Sequence, residues 1–200
     1  MEKITTQQTT TKIVNGVNVT QLFETIDSIK ENKNIAKFNF RAQNKWIGGT
    51  ENHTTINEYY GACKTHTRNK PHVFVKDEVP LLLGTDKGAN PVEYLLAGLA
   101  GCITTSLVAH AAAKGIKIDS IESTLEGDID LLGFLQLDEN VNPGYQGINI
   151  SFKIKSDASE ETIQELINLA KKASPVANTI SRPTPINVTL VKQGDKNWKQ

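Results

Sequence analysis

Very little cysteine is present: two of 200 residues, Cys63 and Cys102. That is too few for the disulfide framework of a small secreted protein, so both read as free thiols, each either buried or reactive. Net charge is absent as well, with 22 Lys and Arg against 22 Asp and Glu. No basic tract breaks the balance, which removes the electrostatic footprint of a nucleic-acid or anionic-membrane binder. The four histidines, His53, His66, His72 and His110, lie at no metal-ligand spacing from one another or from a cysteine, so no metal site and no cofactor are expected. No apolar run approaches the roughly 20 residues that span a bilayer. The opening MEKITTQQTTTKIVNG lacks the apolar core and cleavage site of a secretory signal. A cytoplasmic protein is the expectation.

What remains is enough for a core: 38% of the residues are hydrophobic, and the length suits one domain with an added N-terminal segment. We read residues 1–35 as an N-terminal extension carrying a short helix, 36–192 as the main domain and 193–200 as a tail. Residues 1–16 are Thr- and Gln-rich and expected to fray. In NVTQLFETIDSIKENKN, Asn18 and Gln21 fit a capping box, and Leu22, Phe23, Ile26 and Ile29 share a face. From Ala36 the pattern alternates. KFNFRAQNKWI, HTTINEYYGACK and KPHVFVKDE read as strands with turns at GGTEN and near TRNKP.

After the loop PLLLGTDKGANP, Asn90 is a good N-cap and Pro91 a good first residue for a helix to about Lys114, with Gly115 as its stop. A strand follows, marked by Ile118 and Ile121 and then a slip to Leu125 and Ile129. A second strand, INISFKIK, places Ile148, Ile150, Phe152 and Ile154 on one face. SDASEETIQELINLAKKA reads as an amphipathic helix with the stripe Ile163, Leu166, Ile167, Ala170 and Ala173. A short SPVANTI segment and a last strand, PINVTLVKQ, close the domain. The order predicts an α+β fold with antiparallel sheets around a long helix.

That helix carries the thiol of interest. Gly98 and Ser106 lie four residues either side of Cys102, and glycine costs about 1 kcal/mol against alanine in a helix. Close approach of a neighbouring helix or strand, with a twofold copy of the same helix as an attractive partner, would explain Gly98 and Gly101. Spacing alone favours Cys102 as a small buried hydrophobe over a nucleophile. No cation adjoins it in sequence. His110 reads as a dipole-complementing residue near a helix end. Glu126, Asp128 and Asp130 read as the solvated face of a strand. Trp46, Tyr59 and Tyr60 read as aromatics packing the sheet.

GANPVEYLLAGLAGC, followed by two strands, a second helix and an S-P-V turn, resembles the OsmC/Ohr family of osmotically inducible and organic hydroperoxide resistance proteins, over roughly residues 36–192. The resemblance implies intertwined homodimers with their long helices at the dimer core. It also implies thiol peroxidase chemistry in which a cysteine at the position of Cys102 attacks a hydroperoxide and becomes a sulfenic acid. In that pattern a second cysteine, in a C-P-V turn, resolves the sulfenic acid as a disulfide. An Arg and a Glu, the latter directly after the N-P of the helix start, hold the thiolate.

The chain departs from this pattern at three places. Ser174 stands at the resolving position and reads as an N-cap for a short helical turn. Val92 follows Asn90-Pro91, leaving Glu93, one place on, as a weak substitute for the carboxylate. The arginine falls on no one residue, with Arg68, Arg41 or Lys76 as candidates. Cys63 matches no family position and reads as a bystander.

Two readings follow. One is a stress-response thiol peroxidase with Cys102 as sole nucleophile, reducing an organic hydroperoxide and recycled by an external thiol. The other is a non-catalytic dimeric protein holding a small apolar ligand at the subunit interface. Acyl chemistry on Ser174 ranks below both, because no histidine is placed to activate the hydroxyl.

Overall fold

The computed structural model describes residues 11–192. The expected fraying of residues 1–10 and the expected tail 193–200 lie outside that range. The chain divides by contacts into two compact units, residues 11–24 with Leu96–Asn178 and Thr25–Leu95 with residues 179–192. This division follows contacts rather than the sequence boundary at residue 35.

In the first unit, residues 11–16 do not fray as expected. Strands β1 (Ile13–Val14) and β2 (Val17–Asn18) pair antiparallel around Asn15 and Gly16, both left-handed at φ 52° and 76°. An Asn-Gly pair is well suited to that turn. Asn15 also donates through Nδ2 to the Ile116 carbonyl and accepts from the Ile118 amide, both at 2.9 Å. Helix α1 (Val19–Glu31) starts where the capping residues place it, with the Gln21 amide donating to Asn18 Oδ1 at 3.0 Å.

Helix α2 (Pro91–Ala113) buries Leu99, Ile103, Leu107 and Ala111, a row four residues apart. Gly115 ends it at φ +72°, its amide on the Ala112 carbonyl (3.0 Å) and the Ile116 amide on the Ala111 carbonyl (2.8 Å). This is the paired C-terminal bonding that glycine permits. By length and composition alone α2 is long and apolar enough to cross a membrane. The sequence reading looked for unbroken apolar runs; the polar step Thr104–Ser106 interrupts the run but leaves the helix apolar on average.

Strands β7 (Ile118–Gly127) and β8 (Ile148–Ser156) form an antiparallel pair in which Ile121, Ser123 and Leu125 face Ile154, Phe152 and Ile150. The slip in β7 lies between Ile118 and Ser120, earlier than expected, and Ile129 falls beyond the strand. The intervening segment, expected to be a loop, contains a single helical turn, α3 (Leu131–Phe134). Helix α4 (Glu160–Ala173) follows, N-capped by Ser159, and then α5 (Pro175–Ser181).

In the second unit β5 (Glu51–Gly61) is flanked on one edge by β3 (Asn39–Phe40) and β4 (Gln43–Gly48) and on the other by β6 (Lys64–Lys76), all antiparallel. The turn expected at TRNKP is instead a bulge. Ile56 pairs with His72 and Glu58 with Thr67, so residues 68–71 loop out of an edge strand where Pro71 is tolerated. The true turn is Ala62–Cys63, both left-handed at φ 48° and 62°. Trp46 does not pack the sheet; it is exposed, and its indole N–H bonds the Gly49 carbonyl at 3.0 Å. Residues 183–192 form no strand. Ile186, Val188 and Leu190, which alternate with polar residues along the expected strand, are 85%, 91% and 90% exposed. Alternation makes a strand only where another strand pairs with it, and among the described residues none pairs with this segment.

Candidate functional site

The site forms where α2 and the α4–α5 junction meet. Cys102 directly precedes Ile103 of the buried α2 row and is itself half-buried. On α4 the buried row is Leu166, Ala170 and Ser174, again in steps of four. Ala173, expected in that stripe, is exposed instead, because a four-residue step from Ala170 reaches Ser174.

Ser174 is 0% exposed. It serves two helices at once. Its amide donates to the Ala170 carbonyl (2.8 Å), closing α4, and its carbonyl accepts from the Asn178 amide (3.0 Å), opening α5. Its Oγ accepts from the Ala177 amide at 3.1 Å, an N-cap bond. The remaining hydroxyl function donates to Cys102 Sγ, also at 3.1 Å. Two residues 72 positions apart are thus in direct contact through the sulfur.

The other candidates have partners of their own. Glu93 and Asn90 form a reciprocal box at the start of α2: the Glu93 amide donates to Asn90 Oδ1 (2.9 Å) and the Asn90 amide to Glu93 Oε2 (2.8 Å). Arg68 donates to the Asn57 carbonyl at 3.2 Å and lies 5.2 Å above the Tyr59 ring. Arg41 bonds Asn39 Oδ1 at 3.1 Å and pairs with Glu58 at 3.7 Å. Lys76 bonds Thr54 Oγ1 and Asn44, and its burial pulls its pKa below the ordinary lysine value. Cys63 is exposed at its hairpin turn. Tyr59 stacks on His66 at 4.7 Å. Asp130 caps α3, while Glu126 and Asp128 are exposed.

Sequence reasoning missed Asp77. It is 2% exposed and accepts five bonds: Thr50 Oγ1 (2.6 Å) and the Glu78 amide (2.9 Å) on Oδ1, and Thr85 Oγ1 (2.6 Å), the Thr85 amide (3.0 Å) and the Lys87 amide (3.3 Å) on Oδ2. The hydroxyls of Thr50 and Thr85, ahead of the opposing cost of burial, hold its carboxyl well below the usual carboxylate range. The loop leading to α2 is thereby tied to β6. Its donors come from residues up to 27 positions away, so no local signal announces the acceptor. Lys87 also pairs with Glu51 at 2.5 Å, and Glu51 meets His53 at 2.8 Å. Lys87 first, then His53, lower the Glu51 pKa.

Antiparallel sheets combined with a long glycine-notched helix, whose cysteine meets the turn after a second helix, define an α+β protein built around a thiol. The chain belongs to the OsmC-like protein family, whose profile matches residues 84–189, a span that contains both Cys102 and Ser174. It is 36% identical over 112 residues to the hydroperoxide reductase of Mycoplasma genitalium, covering 52% of this chain and 74% of that protein. The hydroperoxide reductase of Mycoplasma pneumoniae is 34% identical over 116 residues, covering 54% and 75%. Among solved structures, the OsmC-like protein from Mycoplasma pneumoniae superposes with a TM-score of 0.55 at 22% identity, over 72% of this chain and 87% of that one. A putative osmotic stress induced and detoxification response protein from Psychrobacter arcticus gives 0.50 at 14%, over 68% and 85%. The α+β OsmC-like fold and a redox, stress-response role at the family level follow.

Proposed function

We propose that this protein is a one-cysteine hydroperoxide reductase, from a group of the family in which serine replaces the resolving cysteine. The observation that carries the reading is the Ser174–Cys102 contact at 3.1 Å. Cys102 is half-buried, and the side chain next to it cannot form a disulfide.

The chemistry is as follows. The Cys102 thiolate attacks an oxygen of an organic hydroperoxide. The S–O bond forms as the O–O bond breaks, and the departing alkoxide takes a proton to leave as the alcohol. Sulfur is oxidised to the sulfenic acid. A small external thiol condenses with it, releasing water, and a second thiol exchanges at the mixed disulfide to restore the Cys102 thiol. The protein works in the cytoplasm as a homodimer. Supporting the dimer, Gly98 and Gly101 have nothing within 4 Å of an added side-chain carbon, while Val92, Leu95 and the 186–190 segment are exposed.

The test is titration of reduced protein with an organic hydroperoxide, followed by intact mass. Peroxide consumption with gain of one oxygen atom is expected, kept in Cys63→Ser and abolished in Cys102→Ser. Absence of consumption overturns the reading and leaves the binding protein with an apolar ligand.

A further inference from the structure

We propose that Ser174 is a catalytic residue: its hydroxyl donates to the reacting sulfur, favours the thiolate, and keeps oxidised Cys102 available to an external thiol. The proposal deepens the peroxidase reading and rests on it.

The direction of the bond follows from counting donors and acceptors. A serine hydroxyl has one proton and two lone pairs. The Ala177 amide occupies a lone pair at 3.1 Å, as an N–H must. The proton remains, on a side chain with no exposure to water. A buried hydroxyl that fails to donate loses free energy, and the acceptor in range is Cys102 Sγ at 3.1 Å. The cap therefore orients the serine: holding the lone pair on the backbone aims the proton at the sulfur. A donor of this kind interacts about twice as strongly with an anionic acceptor as with a neutral one, so the contact strengthens on the sulfur that attacks as thiolate.

The same atom limits the chemistry after oxidation. A thiol at this place would attack the sulfenic sulfur, forming S–S and expelling water. An alcohol does not, so the oxidised state persists until a thiol arrives from outside.

Alkylation of Cys102 by iodoacetamide tests the donor without peroxide, in a Cys63→Ser background. The S–C bond forms from the thiolate and iodide leaves, so the rate follows the ionised fraction. Ser174→Gly removes the hydroxyl, while glycine, itself a favourable N-cap residue, preserves most of the cap. We expect alkylation near neutral pH to slow about tenfold, the size of one hydrogen bond to a charged group. Ser174→Thr should retain the wild-type rate and profile.

Ser174→Cys should convert the peroxide product from an added oxygen to a disulfide, read as the loss of two hydrogens. This arm keeps the proposal testable should the glycine variant fold poorly. Unchanged or faster alkylation in Ser174→Gly at every pH overturns the donor role. A sulfenic acid that persists in Ser174→Cys overturns the account of the oxidised state. Failure of the peroxidase reading appears separately, as wild-type protein that alkylates normally but consumes no hydroperoxide.

Discussion

Leu107 has no exposed surface, on a helix that is apolar on nearly every side. Its sequence neighbours Val108 and Ala109 are just as apolar yet only half-buried, so composition could not say which row of α2 faces the core. On α4 the alternation with charge is sharp, and the sequence located Leu166 and Ala170 correctly while misplacing the end of the stripe at Ala173. Truncation separates rows that look alike in sequence. Leu107→Ala should lower unfolding free energy by about 2–5 kcal/mol, the usual cost of a buried leucine cavity. Leu95→Ala, at an exposed position of the same helix, should cost much less in the isolated chain. Urea unfolding at concentrations low enough to suppress self-association measures both. The Ser174–Cys102 contact was illegible from spacing: 72 residues intervene, and only the family resemblance aligned the two positions.

At the scale of elements, boundaries were legible wherever local chemistry sets them. Asn90, Pro91 and Gly115 bound α2 as read, and the reciprocal Asn90–Glu93 box was available in the pattern N-P-V-E though not drawn from it. Long-range partners were not legible. The turn of the β5–β6 hairpin falls on Ala62 and Cys63, residues without the Asn-Gly signature, while the stronger turn signal at TRNKP marks a bulge. Asp77 belongs to the same class, since its meaning lies in Thr50 and Thr85. Because its folded carboxyl ionises well below the usual range, Asp77 stabilises the fold fully above the unfolded value near 4. That contribution declines as pH falls from there toward the folded pKa. Asp77→Asn should therefore lower the melting temperature at pH 7, since an amide cannot accept on both arms. The gap from wild type should narrow by pH 3. Melts at the two pH values check this, and an equal gap at both would place the effect in packing rather than charge.

For the whole molecule, the apolar surface poses the question. Two features expected to meet a neighbour meet none among the described residues: the glycine side of α2 and the alternating segment Ile186–Val188–Leu190. Large exposed apolar patches on a folded chain mark places where another surface binds, and glycines on an apolar helix admit a second backbone. A membrane would also cover α2, whose length and composition permit it, but would not by itself call for glycine at two positions. We therefore expect light scattering to give about 44 kDa, twice the 22.0 kDa chain. Gly98→Phe supplies the decisive variant. Within one chain an added Cβ at this position meets nothing within 4 Å and glycine's helix penalty is relieved, so the folded monomer should be retained. Across a helix–helix interface the ring would force the backbones apart, and the mass should fall to that of a single chain. A variant that remains dimeric would place the contact elsewhere, with the 186–190 segment the next to truncate. Wild-type protein that sediments with lipid vesicles, and still does so after Gly98→Phe, would assign the apolar helix to a bilayer.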